Sequence, residues 1–299
     1  MASLTVQQSY QHCMQLTRQH YENFPVASLL LPRSIRYPVS AIYSFARTAD
    51  DYADEGDLSA EQRLFNLQQA GKDLNNAATG NPPDDPIYIA LSDVLQQHPS
   101  LKQPLNDLLI AFKMDVSKHR YQDFGEVMGY CRYSANPIGY MLLILDGKDS
   151  VKNIAYSDAV CSSLQLINFL QDIHSDLIER ERIYMPADEM EKYGITIEQL
   201  ENKKRNESLD RFMNFQTQRC LKLLQAGAPL GIQLKGRMGL EVRMIILAGW
   251  RVLEKLHQRQ GNMTVNTRLT RKDWLWIISH AITSRFKIYF KQLLPDSIT

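Results

Sequence analysis

Residues 153–182 run without a single proline or glycine, and this run most constrains what the chain can fold into. Leu164, Leu166, Ile167, Phe169, Leu170 and Ile173 make it apolar around most of its circumference, so it reads as one long, largely buried helix. Within it Gln165, Asn168, Asp172 and Asp176 follow at steps of three, four and four. That spacing stacks their oxygen-bearing side chains on one helical face over roughly 16 Å. Carboxylates on a buried helix need partners, and hard oxygen donors suit Mg²⁺.

A second acidic set lies in Arg47-Thr-Ala-Asp50-Asp51-Tyr-Ala-Asp54-Glu55. Asp50 and Asp54 are one turn apart on a helix predicted to begin near Pro38, with Val39, Ile42, Tyr43, Phe45 and Ala46 on its apolar side. One such pair is the ordinary makeup of a solvated helix face. Two acidic faces in one apolar chain predict two walls of a single site, bridged by Mg²⁺ around a diphosphate. Mg²⁺ habitually takes one or two carboxylates and leaves its remaining positions to phosphate oxygens and water.

Elsewhere helical spacing recurs and period-two alternation is scarce, so the chain is expected to be all-α. Its 299 residues, 44% hydrophobic, suit one core and a single domain over 1–299. Helices are predicted at 4–22, from Pro38 through the Asp50 set, and at 58–78, 86–97, 101–117, 123–146 with Pro137 inside, 153–182, 206–226, 237–259 and 270–293. Residues 79–86 read as a loop and 186–206 as short turns. Cys13, Cys131, Cys161 and Cys220 are widely spaced, which suits reduced thiols rather than a disulfide or zinc framework.

Residues 1–199 carry 16 basic and 26 acidic groups, and 200–299 carry 18 and 7. The basic end fits contact with an anionic membrane surface, and equally plain solvated helix faces. No apolar run reaches the ~20 residues of a spanning helix. The first residues lack a signal peptide's apolar core, so a cytoplasmic placement is expected. No glycine-rich nucleotide loop and no hydrolase triad spacing occurs, and no nucleic-acid partner is expected. His174, beside the acidic ladder, points off its face.

Tyr43-x3-Arg47-x2-Asp50-x3-Asp54 and Gln165-x2-Asn168-x3-Asp172-x3-Asp176, followed by Glu181-Arg-Ile-Tyr184-Met-Pro186, resemble the squalene/phytoene synthase family over nearly the whole chain. Within it, Glu22-Asn23-Phe24-Pro25-Val26-Ala27-Ser28 and Ser134-Ala135-Asn136-Pro137 are similar to the hydroxysqualene synthase branch of bacterial hopanoid synthesis. The resemblance implies an isoprenoid-synthase-type helical bundle around a central apolar cavity. It implies Mg²⁺ as cofactor, held by Asp50, Asp54, Asn168, Asp172 and Asp176. Arg47, Gln165 and Tyr184 would bond phosphate oxygens, Phe24 would contact substrate, and Tyr43, Tyr130 and Asn136 would act near the reacting carbons. Presqualene diphosphate and water are the implied reactants, with other hopanoid-pathway enzymes as neighbours.

Two departures bear on the substrate. Condensing members of the family carry a basic residue where this chain has Glu22, and Arg where it has Gln171. Fewer cations favour a substrate with one diphosphate over two prenyl diphosphates. The alternative is head-to-head condensation to presqualene diphosphate, dehydrosqualene or phytoene. In Ser134-Ala-Asn136-Pro137-Ile-Gly139, a proline within a continuing helix would strip the Tyr133 carbonyl of its donor and leave a seat for an ordered water.

Overall fold

A computed structural model of the chain describes residues 5–19 and 31–283. Phe24 and the motif over 22–28, with Glu22, lie outside the described residues. The helices are α1 Val6–Gln19, α2 Arg33–Asp54, α3 Ala60–Ala78, α4 Pro86–Gln97, α5 Lys102–Ser117, α6 Phe124–Ser134, α7 Asn136–Leu145, α8 Val151–Arg180, α9 Ala187–Tyr193, α10 Ile197–Glu201, α11 Glu207–Gly227, α12 Leu230–Gln233, α13 Gly236–Arg259 and α14 Arg271–Ile282. Two short strands, β1 Arg120–Tyr121 and β2 Ile183–Pro186, pair in parallel. The chain is all-α, as its periodicity required.

Local chemistry sets the helix ends. Ser59 and Gln62 form a reciprocal capping box at the start of α3, and Asp85 accepts from the Ile87 N–H ahead of Pro86 at the first position of α4. Three expectations need correction. The second helix begins at Arg33, with Pro38 inside it. A proline so near the helix start gives up one bond, to the Ser34 carbonyl in the first turn. The stretch 123–146 is two helices that break at Ala135, and Pro137 sits at the second position of α7. Pro137 has no N–H to give the Tyr133 carbonyl, so the helical ladder is interrupted and a new helix starts with the proline in its first turn, where no donor is needed. Residues 186–206, expected as turns, contain α9 and α10.

Contacts divide the chain into two compact units. The first holds α1–α5 and α7. Ile35, Val39, Ile42, Phe45, Ala49 and Ala53 form the buried stripe of α2, against which α1, α4 and α5 pack. The Tyr10 hydroxyl donates to Asp93 at 2.7 Å, tying α1 to α4.

The second unit holds the strands, α6 up to Cys131, and α8–α14. Its axis is α8, flanked chiefly by α11 and α13. The Ser163 hydroxyl donates to the Cys220 carbonyl of α11 at 2.7 Å. Gly227 lets α11 cross α8 closely: a Cβ there would stand 2.6 Å from the Tyr156 carbonyl oxygen and 2.8 Å from the Val160 nitrogen. Because the obstacle is backbone, Gly227→Ala is expected to cost about 3 kcal/mol, the upper end for overpacking. Urea unfolding checks this, and an unchanged midpoint would refute the contact.

Candidate active site

The first acidic face lies on α2. Tyr43, Arg47, Asp50 and Asp54 share one strip and are all half-buried. The Arg47 guanidinium stands 3.4 Å from Asp50, 2.5 Å from Asp51 and 2.5 Å from Glu55, so in the ligand-free chain carboxylates occupy it. Asp50 keeps 39% of its side-chain surface open, yet it is crowded on its other sides. Burial first, then the neighbouring Asp54 charge, pushes its carboxyl up to about 7 against the pull of Arg47. Asp115, buried on α5, adds to the repulsion. This face holds more negative charge than Arg47 offsets. Asp115 lies more than sixty residues from Asp50, and no spacing in the sequence links them.

The second face lies on α8. Gln165, Asn168 and Asp176 are half-buried and Asp172 reaches solvent, while Leu166, Ile167, Phe169, Leu170 and Ile173 are buried behind them. Surrounding protein mass raises the Asp172 carboxyl pKa, and the charges of Arg268, Arg259 and Arg180 oppose that rise. An Arg180 nitrogen lies 3.7 Å from Asp176. His174 turns away, its Nδ1 3.2 Å from the Leu200 carbonyl oxygen. The sequence conceals that Arg259 and Arg268 act on Asp172. The first reads as an ordinary cation in the last turn of a helix, and the second sits in a loop.

Beside this face lies an aromatic group. Tyr184 of β2 stacks flat on Phe169, with centroids 3.9 Å apart and planes at 3°. Tyr130 of α6 lies 5.8 Å from Phe169 and 5.3 Å from Tyr184. Tyr121, fully buried, stacks on Tyr184 with centroids 5.6 Å apart. Tyr130 and Tyr184, singled out far apart in the sequence, therefore meet on Phe169 of α8.

A family model described as squalene/phytoene synthase matches residues 17–274. This chain belongs to the squalene/phytoene synthase family. It is 36% identical over 239 residues to the hydroxysqualene synthase of Rhodopseudomonas palustris, covering 80% of each chain. It also resembles the solved squalene synthase HpnC of Alicyclobacillus acidocaldarius, at 30% identity and a TM-score of 0.79, covering 87% of this chain and 97% of that one. A dehydrosqualene synthase structure superposes with a TM-score of 0.82 at 20% identity, covering 96% and 98%. That likeness adds to the fold alone, an isoprenoid-synthase helical fold.

As a member of the squalene/phytoene synthase family the chain is an enzyme, and its acidic faces can be tested for fit to Mg²⁺. Among the described residues no three His, Cys, Asp or Glu side chains converge as a ready metal cage. Mg²⁺ seldom uses one, relying instead on few carboxylates plus phosphate oxygens. The crowded Asp50, with more negative charge around it than Arg47 offsets, and the solvent-reaching Asp172 are oxygen donors that fit a divalent cation. Asn136 opens α7 and is half-buried. No helix among the described residues is long and apolar enough to cross a membrane.

Proposed function

We infer that this chain is a hydroxysqualene synthase, converting presqualene diphosphate and water into hydroxysqualene and diphosphate. The observation that carries this reading is its similarity, across four-fifths of both chains, to the hydroxysqualene synthase of Rhodopseudomonas palustris. Asp50 and Asp54 of α2, with Asn168, Asp172 and Asp176 of α8, would hold Mg²⁺. When bound, the metal supplies Lewis acidity that draws off charge as the carbon–oxygen bond breaks. Arg47, Gln165 and Tyr184 bond the departing phosphate oxygens, a task that requires Arg47 to exchange carboxylate partners for phosphate. The ring faces of Tyr130 and Tyr43 shield the carbocation from indiscriminate attack. Asn136, at the start of α7, orients the water whose oxygen becomes the alcohol while its proton leaves to solvent. The enzyme would work in the cytoplasm, meeting its apolar substrate at a membrane surface.

Incubation with presqualene diphosphate or farnesyl diphosphate in ¹⁸O-labelled water, with and without Mg²⁺, tests this. Mg²⁺-dependent hydroxysqualene carrying ¹⁸O is expected from presqualene diphosphate, without NADPH, and little product from farnesyl diphosphate. Efficient condensation of farnesyl diphosphate would establish the alternative activity, and NADPH-dependent squalene as sole product would refute hydration.

A further inference from the structure

The loop joining α13 to α14, residues 260–270, has no regular structure, yet side chains pin it along its length. The Gly261 N–H donates to Asp210 at 2.9 Å. Arg259, itself buried, donates to the Leu170 carbonyl of α8 at 2.5 Å and to the Val265 carbonyl of the loop at 3.4 Å. One residue on from Leu170, the Gln171 amide donates to the Thr267 hydroxyl at 3.0 Å, and Thr267 is buried. Gln171 of α8 therefore holds the loop directly at Thr267, and Leu170 holds Arg259, which donates to the loop two residues earlier. Arg268 follows at once. Its N–H donates to Asn266 at 2.8 Å and its carbonyl accepts from Lys255 at 3.2 Å, so its backbone is fixed on both sides. Its own side chain is exposed, and its charge is the largest attractive one acting on the Asp172 carboxyl.

Gln171 is thus more than a missing cation. At this position the chain has exchanged a charge for a hydrogen bond that positions a charge borne elsewhere. We propose that Gln171 and Thr267 are positioning residues whose hydrogen bond sets the 260–270 loop so that Arg268 offers its guanidinium to phosphate oxygens on the Asn168–Asp172–Asp176 face. A planar fork on a pre-ordered loop binds phosphate oxygens in pairs and loses little freedom in doing so. The inference rests on the diphosphate-binding role given to that face above.

Calorimetric titration with inorganic pyrophosphate and Mg²⁺ tests it, together with hydrogen exchange of the amides over 262–269. Thr267→Val and Gln171→Met, which cut the bond from either end, are each expected to weaken pyrophosphate binding about tenfold, as losses of supporting contacts do. Both should speed exchange in the loop, and Thr267→Ser should restore wild-type behaviour. Arg268→Gln should weaken binding at least as much, and Thr267→Val added to it should cost nothing further. Unchanged affinity in Thr267→Val and Gln171→Met, alongside a loss in Arg268→Gln, would overturn the positioning role. So would losses that multiply in the double variant. No loss in Arg268→Gln while Asp172→Asn abolishes binding would overturn the role of the loop but leave the acidic face standing. If the wild-type protein binds no pyrophosphate and Asp172→Asn changes nothing, the diphosphate reading itself fails, and this inference with it.

Discussion

Asp172→Asn is expected to lower turnover of presqualene diphosphate by about 10²- to 10³-fold at saturating Mg²⁺, the scale for losing one preorganised group that meets developing charge. The substitution removes a charge and keeps the side chain's volume. It should not unfold the protein, because Asp172 reaches solvent and its carboxyl pKa is raised in the fold. A raised carboxyl pKa means that the folded state holds the ionised form less readily than the unfolded chain does. Neutralising it should leave the metal-free melting temperature unchanged or slightly higher. Asp50→Asn should behave alike, since burial and Asp54 likewise push its carboxyl up, to about 7. If both faces serve one diphosphate, the double variant should lose less than the product of the single losses. Near-normal turnover of Asp172→Asn would make the ladder on α8 structural only.

A large stability effect is expected at Asp273. It is buried at the start of α14, where it completes a capping box with Thr270. Lys255 lies 2.8 Å from it and Arg251 2.9 Å, both from α13. Burial alone would raise its pKa, but bonds from Lys255, Thr270 and Arg251 override that and hold the carboxyl well below the usual range. Asp273→Asn should cost about 3 kcal/mol at neutral pH, the low end for breaking a buried pair, because both cations keep some access to water. The depressed pKa gives the contribution its sign. It is present in full above the unfolded carboxylate range, about pH 4, and is lost as pH falls toward the folded value. The gap between wild type and variant in urea unfolding should therefore stay constant from pH 7 to about pH 5 and narrow steadily below that. A gap independent of pH would mean that the carboxylate charge is not what holds α14 to α13.

Much of this architecture was legible in the residues. The ladder Gln165–Asp176 had to share a face, because helical periodicity is local and α8 contains nothing to break it. The helices over 58–78 and 86–97 were legible for the same reason, in their apolar spacing and in the turn residues between them. Prolines are less legible. Pro38 looks like a boundary yet lies inside α2, and Pro137 looks like a kink yet sits at the second position of α7. A proline states that one N–H is missing, and the position of the helix start decides whether that loss matters.

The sequence by itself determined the helical class, the two acidic faces and the family, since each rests on spacings within a few turns of one helix. Tertiary structure alone decided which distant groups meet those faces. It set buried Asp115 of α5 near Asp50, stacked Tyr184 on Phe169, and brought Arg259 and Arg268 toward Asp172. It also turned Gln171 from an apparent loss of charge into the anchor of a loop. Such pairings depend on how helices cross, and crossings are set by side-chain volume and close backbone approach, as at Gly227, which no periodicity along the chain encodes.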